Sequence, residues 1–119
     1  MAGSFREAVD AISKTFLEGY NKRDRAAVTS TYAEGARIVW TNGRRIEGRK
    51  ALEAALDEAF TSHGKCKGFE ITKATADGNT GYSVQIVTFV EGKAYAMSAY
   101  ARDAGGNWLV DDEVAVTLA

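Results

Sequence analysis

Residues 32–60 read YAEGARIVWTNGRRIEGRKALEAALDEAF, and the change of rhythm inside them sets the fold class. Positions 37–41 alternate, with Ile38 and Trp40 on one side, as a half-buried strand does. Asn42-Gly43 follows, a strong tight-hairpin signal because both residue types tolerate positive φ. Positions 44–47 form the returning strand. From Gly48 the period becomes helical: Leu52, Ala55, Leu56, Ala59 and Phe60 fall at i, i+3, i+4, i+7 and i+8, and Gly64 closes the helix.

Upstream, Ser4 and Glu7 have the spacing of a capping box. Phe5, Val9, Ile12, Phe16 and Tyr20 then form one helical stripe, with Asp10/Lys14 and Glu18/Lys22 on the opposite side. Residues 21–23 break this helix. Asp24 caps a short second one that the pattern carries to Ala33, with Val28 and Tyr32 inward and Glu34-Gly35 as its end.

Downstream of Gly64 the period falls to two. Residues 68–76, 81–90, 94–102 and 108–118 read as four strands joined by short turns, hence as an antiparallel meander. Helices followed by strands predict an α+β domain: three N-terminal helices packed in the concave face of a curved, mostly antiparallel sheet. Val84, Ile86 and Val90 point one way and Val87 and Phe89 the other. Tyr95 and Met97 lie opposite Ser98 and Tyr100. An antiparallel sheet with one wet face alternates more cleanly, so the second face is expected to be covered by another copy of the chain.

The chain's 119 residues fit one domain, residues 1–119, with a core that needs no staples. Fifteen basic and sixteen acidic residues leave a net charge of −1, which excludes the long-range field that gathers nucleic acid or anionic membrane. No apolar run approaches a membrane span, and the first residues lack a basic start followed by an apolar block, so the expected location is cytoplasmic. Cys66 and His63, one of each, are too few for a zinc cluster, and no metal or other cofactor is expected. The GKCKG segment around Cys66 reads as an exposed connection. His63 reads as a helix C-terminal residue whose charged form suits the dipole.

The order helix, helix, strand, hairpin, helix and four meandering strands, with TYAEGARIVW and IEGRKALEAAL at the junctions, resembles the nuclear transport factor 2-like superfamily. That group includes ketosteroid isomerases and SnoaL-like polyketide cyclases. The resemblance implies a cone with a pocket between sheet and helices, often dimeric through the sheet. Steroid isomerisation on this fold uses a carboxylate base and an oxyanion hole of a tyrosine and a protonated aspartic acid. The positions implied for these three groups are Trp40, Phe16 and a place near Ser98, so all three are missing. The superfamily's epoxide hydrolases need two carboxylates bridged by an arginine, and that set is not recognisable either.

The acidic run Asp111-Asp112-Glu113 is the candidate for catalysis, because three consecutive acids on a strand put a carboxylate on each face. Strict alternation groups Asp112 with Trp108, Val110, Val114 and Val116. The register implied by the resemblance favours Asp111 and Glu113, and a bulge reconciles the two. We take Asp112 and Asp111 as the candidate acid–base residues; the competing reading is rim carboxylates paired with Arg44, Arg45 or a lysine. Phe16, Tyr20, Tyr32, Trp40, Ser98 and Tyr100 are the candidates to line the pocket, the aromatics as walls for a flat hydrophobic ligand. The same spacing also suits plain core. The expected function is small-molecule binding, with acid–base chemistry of the isomerase, cyclase or hydrolase kind. The rival is a non-catalytic dimerisation or ligand-binding module, and an enclosed cavity holding a carboxylate separates the two.

Overall fold

The structure, a computed structural model, describes residues 4–62 and 64–118. The expectation for His63 lies outside them. Helix α1 (Phe5–Asn21) starts at the capping box: the Ser4 hydroxyl accepts from the Glu7 amide at 3.1 Å while the Glu7 carboxylate accepts from the Ser4 amide at 2.9 Å. Helix α2 (Arg25–Thr29) is capped by Asp24, whose side chain accepts from the Ala27 amide. Strands β1 (Tyr32–Val39) and β2 (Arg45–Glu47) form the hairpin that leads into α3 (Arg49–Ser62). Four strands follow: β3 (Cys66–Asp77), β4 (Thr80–Phe89), β5 (Gly92–Arg102) and β6 (Trp108–Leu118).

The six strands form one sheet in the order β2-β1-β6-β5-β4-β3, antiparallel at every junction except β1 with β6. The α+β class, the three leading helices and the meander are as the sequence predicts. The α3 stripe of Leu52, Ala55, Leu56, Ala59 and Phe60 is buried as a set, against a core that also holds Val9, Val28, Ile38 and Ile46.

Three local expectations are corrected. The second helix stops at Thr29, and Tyr32, Ala33, Glu34 and Gly35 belong to β1. Thr31 and Tyr32 favour extended backbone, the Ser30 and Thr31 hydroxyls bond back to Ala27 and Val28 carbonyls, and the Val110 amide donates to the Thr31 carbonyl. Parallel pairing with β6 therefore wins over one more helical turn. In the hairpin only Gly43 takes positive φ (80°); the Gly43 amide donates to the Trp40 carbonyl and the Arg44 amide to the Asn42 side chain. Cys66, finally, is buried rather than exposed. Its amide and carbonyl are held by the Asn21 side chain at 2.8 and 2.9 Å, and burial pushes its thiol up to about 11.

The meander has the two-faced character its sequence suggests. Val87, Ala94, Ala96, Ser98 and Tyr100 are buried beneath the helices, whereas Tyr82, Tyr95, Met97, Val114 and Val116 stand exposed on the far side. No helix among the described residues is long and apolar enough to cross a membrane. Replacing Leu56, 1% exposed, by alanine is expected to destabilise the fold by about 3 kcal/mol through lost burial and an unfilled cavity. Asp112→Ala, which removes only a surface partner of Arg37, is expected to leave the urea midpoint essentially unchanged.

Candidate active site

Between α1 and the sheet lies a cavity of about 310 Å³. Ile12, Phe16 and Tyr20 of α1 form one wall. Val87 and Phe89 of β4, with Phe69 of β3, form another, and Trp40 and Asn42 of the hairpin and Glu91, Gly92 and Lys93 where β4 turns into β5 add to the lining. All six residues predicted to line a pocket, Phe16, Tyr20, Tyr32, Trp40, Ser98 and Tyr100, do line this cavity. Most are also packed against the core, so on this fold core and lining are one continuous surface.

Of the three consecutive acids on β6 it is Glu113, not Asp111 or Asp112, that lines the cavity; Glu91 of the β4–β5 turn is the other carboxylate in its lining. Along β6, Val110 pairs with Tyr100 and Asp112 with Ala99, so the ladder shifts by one residue at Asp111. A one-residue bulge swaps the faces of everything beyond it. Strict alternation from Trp108 and Val110 therefore fails for Asp112, which turns outward and pairs with Arg37 at 2.9 Å, while Glu113 turns in. The suggested partners differ too: Arg44 pairs with Glu58 of α3 and Arg45 is exposed.

Glu113 is enclosed by protein yet open to the cavity, which is why its side chain remains partly accessible. Its Oε1 accepts from the Tyr32 hydroxyl at 2.7 Å and its Oε2 from the Ser98 hydroxyl at 2.7 Å. Tyr32 comes from β1 and Ser98 is the cross-strand neighbour on β5. The Arg49 guanidinium holds the Tyr32 carbonyl from α3 at 2.7 and 2.9 Å, fixing the strand where the register of β1 shifts. Behind Ser98 the chain continues along β4. Gln85 Nε2 donates to Ser98 Oγ at 2.9 Å, Ser83 donates to Gln85 Oε1 at 2.7 Å, and Ser83 and Tyr100 hydroxyls lie 2.7 Å apart. Because the Ser83 proton is used on Gln85, Tyr100 is the donor of that last pair.

Burial raises the Glu113 carboxyl above its ordinary value of 4.5, and the Tyr32 and Ser98 hydroxyls oppose that rise by stabilising the ionised form. The Tyr32 phenol is driven well above its ordinary value, first by burial and then by the Glu113 charge. Tyr100 is pushed up to about 12 by burial, partly offset by Ser83. Among the described residues no ion pair involves Glu113. The arrangement is thus a buried carboxylate with two hydroxyl donors and free lone pairs toward an apolar space: a proton acceptor, and once protonated a donor.

The register implied by the resemblance raises Glu113, with a bulge, but sequence reasoning settles on Asp112 and Asp111 as the candidates and passes over Ser83 and Gln85. The last two carried a usable signal, since they share a face with Val87 and Phe89 and are polar where the strand's inward positions are otherwise apolar.

A three-helix layer on a six-stranded, mostly antiparallel sheet with a cavity between them defines the nuclear transport factor 2-like fold, also called cystatin-like. Residues 14–108 match the SnoaL-like domain, and the chain belongs to that family. Among solved structures, a domain of unknown function with a cystatin-like fold from Nostoc punctiforme PCC 73102 superposes with a TM-score of 0.85 at 11% identity, over 100% of this chain and 80% of its own. A ketosteroid isomerase-like protein from Erwinia carotovora atroseptica gives 0.81 at 15%, over 95% of each chain. A nuclear transport factor 2-like protein of unknown function from Shewanella baltica OS155 gives 0.77 at 15%, over 99% of each. At these identities the likeness is one of fold. No protein of curated function matches the chain.

Since the folded state binds the Glu113 proton more tightly than the unfolded state, stability contributed by the neutral carboxyl is present below about pH 4.5 and is lost as pH rises through the folded value. The melting temperature of Glu113→Gln relative to the native protein is therefore expected to climb with pH between 4 and 8. A difference that stays flat over that range contradicts the burial of the charge.

Proposed function

We propose that this SnoaL-like domain binds a small, largely apolar molecule in the cavity and exchanges a proton with it at Glu113, in acid–base chemistry of the isomerase or cyclase kind. The observation that carries this reading is the space between α1 and the sheet, walled by Phe16, Tyr20, Trp40, Phe69 and Phe89 and lined by Glu113, a buried carboxylate with no cationic partner among the described residues. A module whose interior serves only as core has no use for such a group, because an unpaired buried charge costs stability.

The chemistry follows from the donors. With Glu113 ionised, the protons of Tyr32 and Ser98 both point at it and its remaining lone pairs face the cavity. A carbon acid placed there, with its proton made labile by a neighbouring carbonyl, transfers that proton to Glu113. As the carboxylate is neutralised its pull on the Tyr32 hydroxyl falls, and that donor becomes available to the negative charge that has moved to the ligand oxygen. The set differs from the steroid isomerase set: Phe16, Trp40 and Ser98 line the cavity at the positions the resemblance assigned to that machinery, and the carboxylate sits instead on β6.

A panel of small cyclic ketones with an enolisable position, followed by exchange of the acidic proton for deuterium, tests the reading. The native protein is expected to accelerate exchange for at least one ligand that binds, and Glu113→Gln to slow it by about 100-fold or more while still binding. Equal exchange by both proteins removes Glu113 from the chemistry, and Asp112→Asn serves as the control that should match the native protein.

We also propose that the chain pairs with a second copy through the outer face of the sheet. Tyr82, Tyr95, Met97, Val114 and Val116 lie there on β4, β5 and β6, with Met97 53% and Val116 51% exposed, where a wet sheet face would carry polar groups. Sedimentation at micromolar concentration is expected to give twice the 12.8 kDa chain mass, and Met97→Glu to halve it. A native particle of 12.8 kDa contradicts the pairing.

A further inference from the structure

We propose that Gln85 is a positioning residue that couples Glu113 to Tyr100: when Glu113 takes up a proton, the Gln85 amide turns over, the chain of donors reverses, and the Tyr100 hydroxyl is released into the cavity. The inference rests on the reading of Glu113 as the proton acceptor, and extends the site to the far end of the network.

The direction of the chain is set by counting protons. With Glu113 ionised, Ser98 uses its one proton on Glu113 Oε2 and so can only accept from Gln85. Gln85 must therefore present its nitrogen to Ser98, 2.9 Å away, and its oxygen to Ser83, 2.7 Å away. Ser83 then accepts from Tyr100, and every hydroxyl from Tyr100 to Ser98 points toward Glu113. The opposite amide orientation sets two acceptors against each other at the Ser98 contact.

Now let a ligand proton settle on Glu113 Oε2. The carboxyl donates to Ser98 Oγ, and the Ser98 proton needs a new acceptor. The Gln85 oxygen supplies one, once the amide has turned by half a revolution, although the Tyr100 hydroxyl also lies near Ser98. Its nitrogen then donates to Ser83, Ser83 donates to Tyr100, and the Tyr100 proton loses Ser83, its 2.7 Å acceptor. Tyr100 lines the cavity, and that is the side to which the released proton turns. One proton has moved from ligand to Glu113 and no other covalent bond has changed; the rest is rotation of three hydroxyls and one amide. The gain for catalysis is that proton removal at one end of the ligand switches on a donor at another. Tyr32 offers no equivalent route, since among the described residues its hydroxyl bonds only Glu113.

Glu113 titrates among few neighbours. The other titratable or charged side chains lining the cavity are Tyr20 from α1, Tyr32 from β1, Tyr100 from β5, Glu91 in the β4–β5 turn, and Lys93 beginning β5. The Tyr20 hydroxyl is committed to the Ala59 carbonyl of α3 at 3.1 Å. On β6 itself, Asp112 is turned outward to Arg37.

The test needs no ligand, so its failure is distinct from a failure to find a substrate. The tyrosine Cζ and glutamate Cδ carbons are labelled with carbon-13 and followed by NMR from pH 4 to pH 9. In the native protein the Tyr100 and Tyr32 signals are both expected to step with the Glu113 carboxyl. In Gln85→Leu the Glu113 and Tyr32 steps remain and the Tyr100 step is lost. Glu113→Gln, an uncharged mimic of the protonated acid that can donate to Ser98, is expected to hold Tyr100 at its acidic-end shift throughout. Coupling by charge alone predicts that the Tyr100 step survives in Gln85→Leu, and that result overturns the proposal. So does a Tyr100 signal that is the same in the native protein at pH 8 and in Glu113→Gln.

Discussion

A single carboxylate, held inside an apolar cavity by the Tyr32 and Ser98 hydroxyls, is the constraint on which the site depends. An ionised carboxylate without a counterion is costly to bury, and two short hydroxyl donations recover only part of what water supplied. Each of its supports comes from a different strand: Tyr32 from β1, Ser98 from β5 and the acid itself from β6. The parallel junction of β1 and β6 is what brings the first and last strands side by side, and the Arg49 guanidinium on the Tyr32 carbonyl ties that junction to α3. Positioning the acid is therefore a property of the whole sheet rather than of a loop.

The same sheet serves two environments. Its inner face combines a polar row, Ser83, Gln85, Ser98 and Glu113, with aliphatic and aromatic neighbours, and every buried side-chain donor and acceptor among the described residues has a partner. Such a network is rigid when complete and unfavourable when broken, which suits the acid–base role proposed for Glu113. The outer face is apolar and exposed. The bulge at Asp111 serves both faces at once, turning Glu113 in and sending Asp112 out to Arg37.

What the sequence discloses follows from what is periodic in it. The stripe of Leu52, Ala55, Leu56, Ala59 and Phe60 and the alternation of the last four strands repeat often enough to declare themselves, and the class, strand count and lining aromatics follow. Features set by a single residue do not repeat. Tyr32 lies four positions after Val28 and fits the helical stripe, and only pairing with β6 pulls it into a strand. Within Asp111-Asp112-Glu113 any member can be the inward one, and the choice depends on one extra residue opposite Ala99 and Tyr100. Gln85 and Ser83 are visible as polar interruptions of a buried face, but their partners on β5 are set by a register no local pattern encodes.

The central claim is a direction of hydrogen bonding, and neutron diffraction from a deuterated crystal at neutral pH reads it directly. The account predicts deuterons on Tyr32 and Ser98 that both point at an unprotonated Glu113, with the Gln85 nitrogen toward Ser98. A deuteron resident on Glu113 itself, or the Gln85 oxygen facing Ser98, contradicts it.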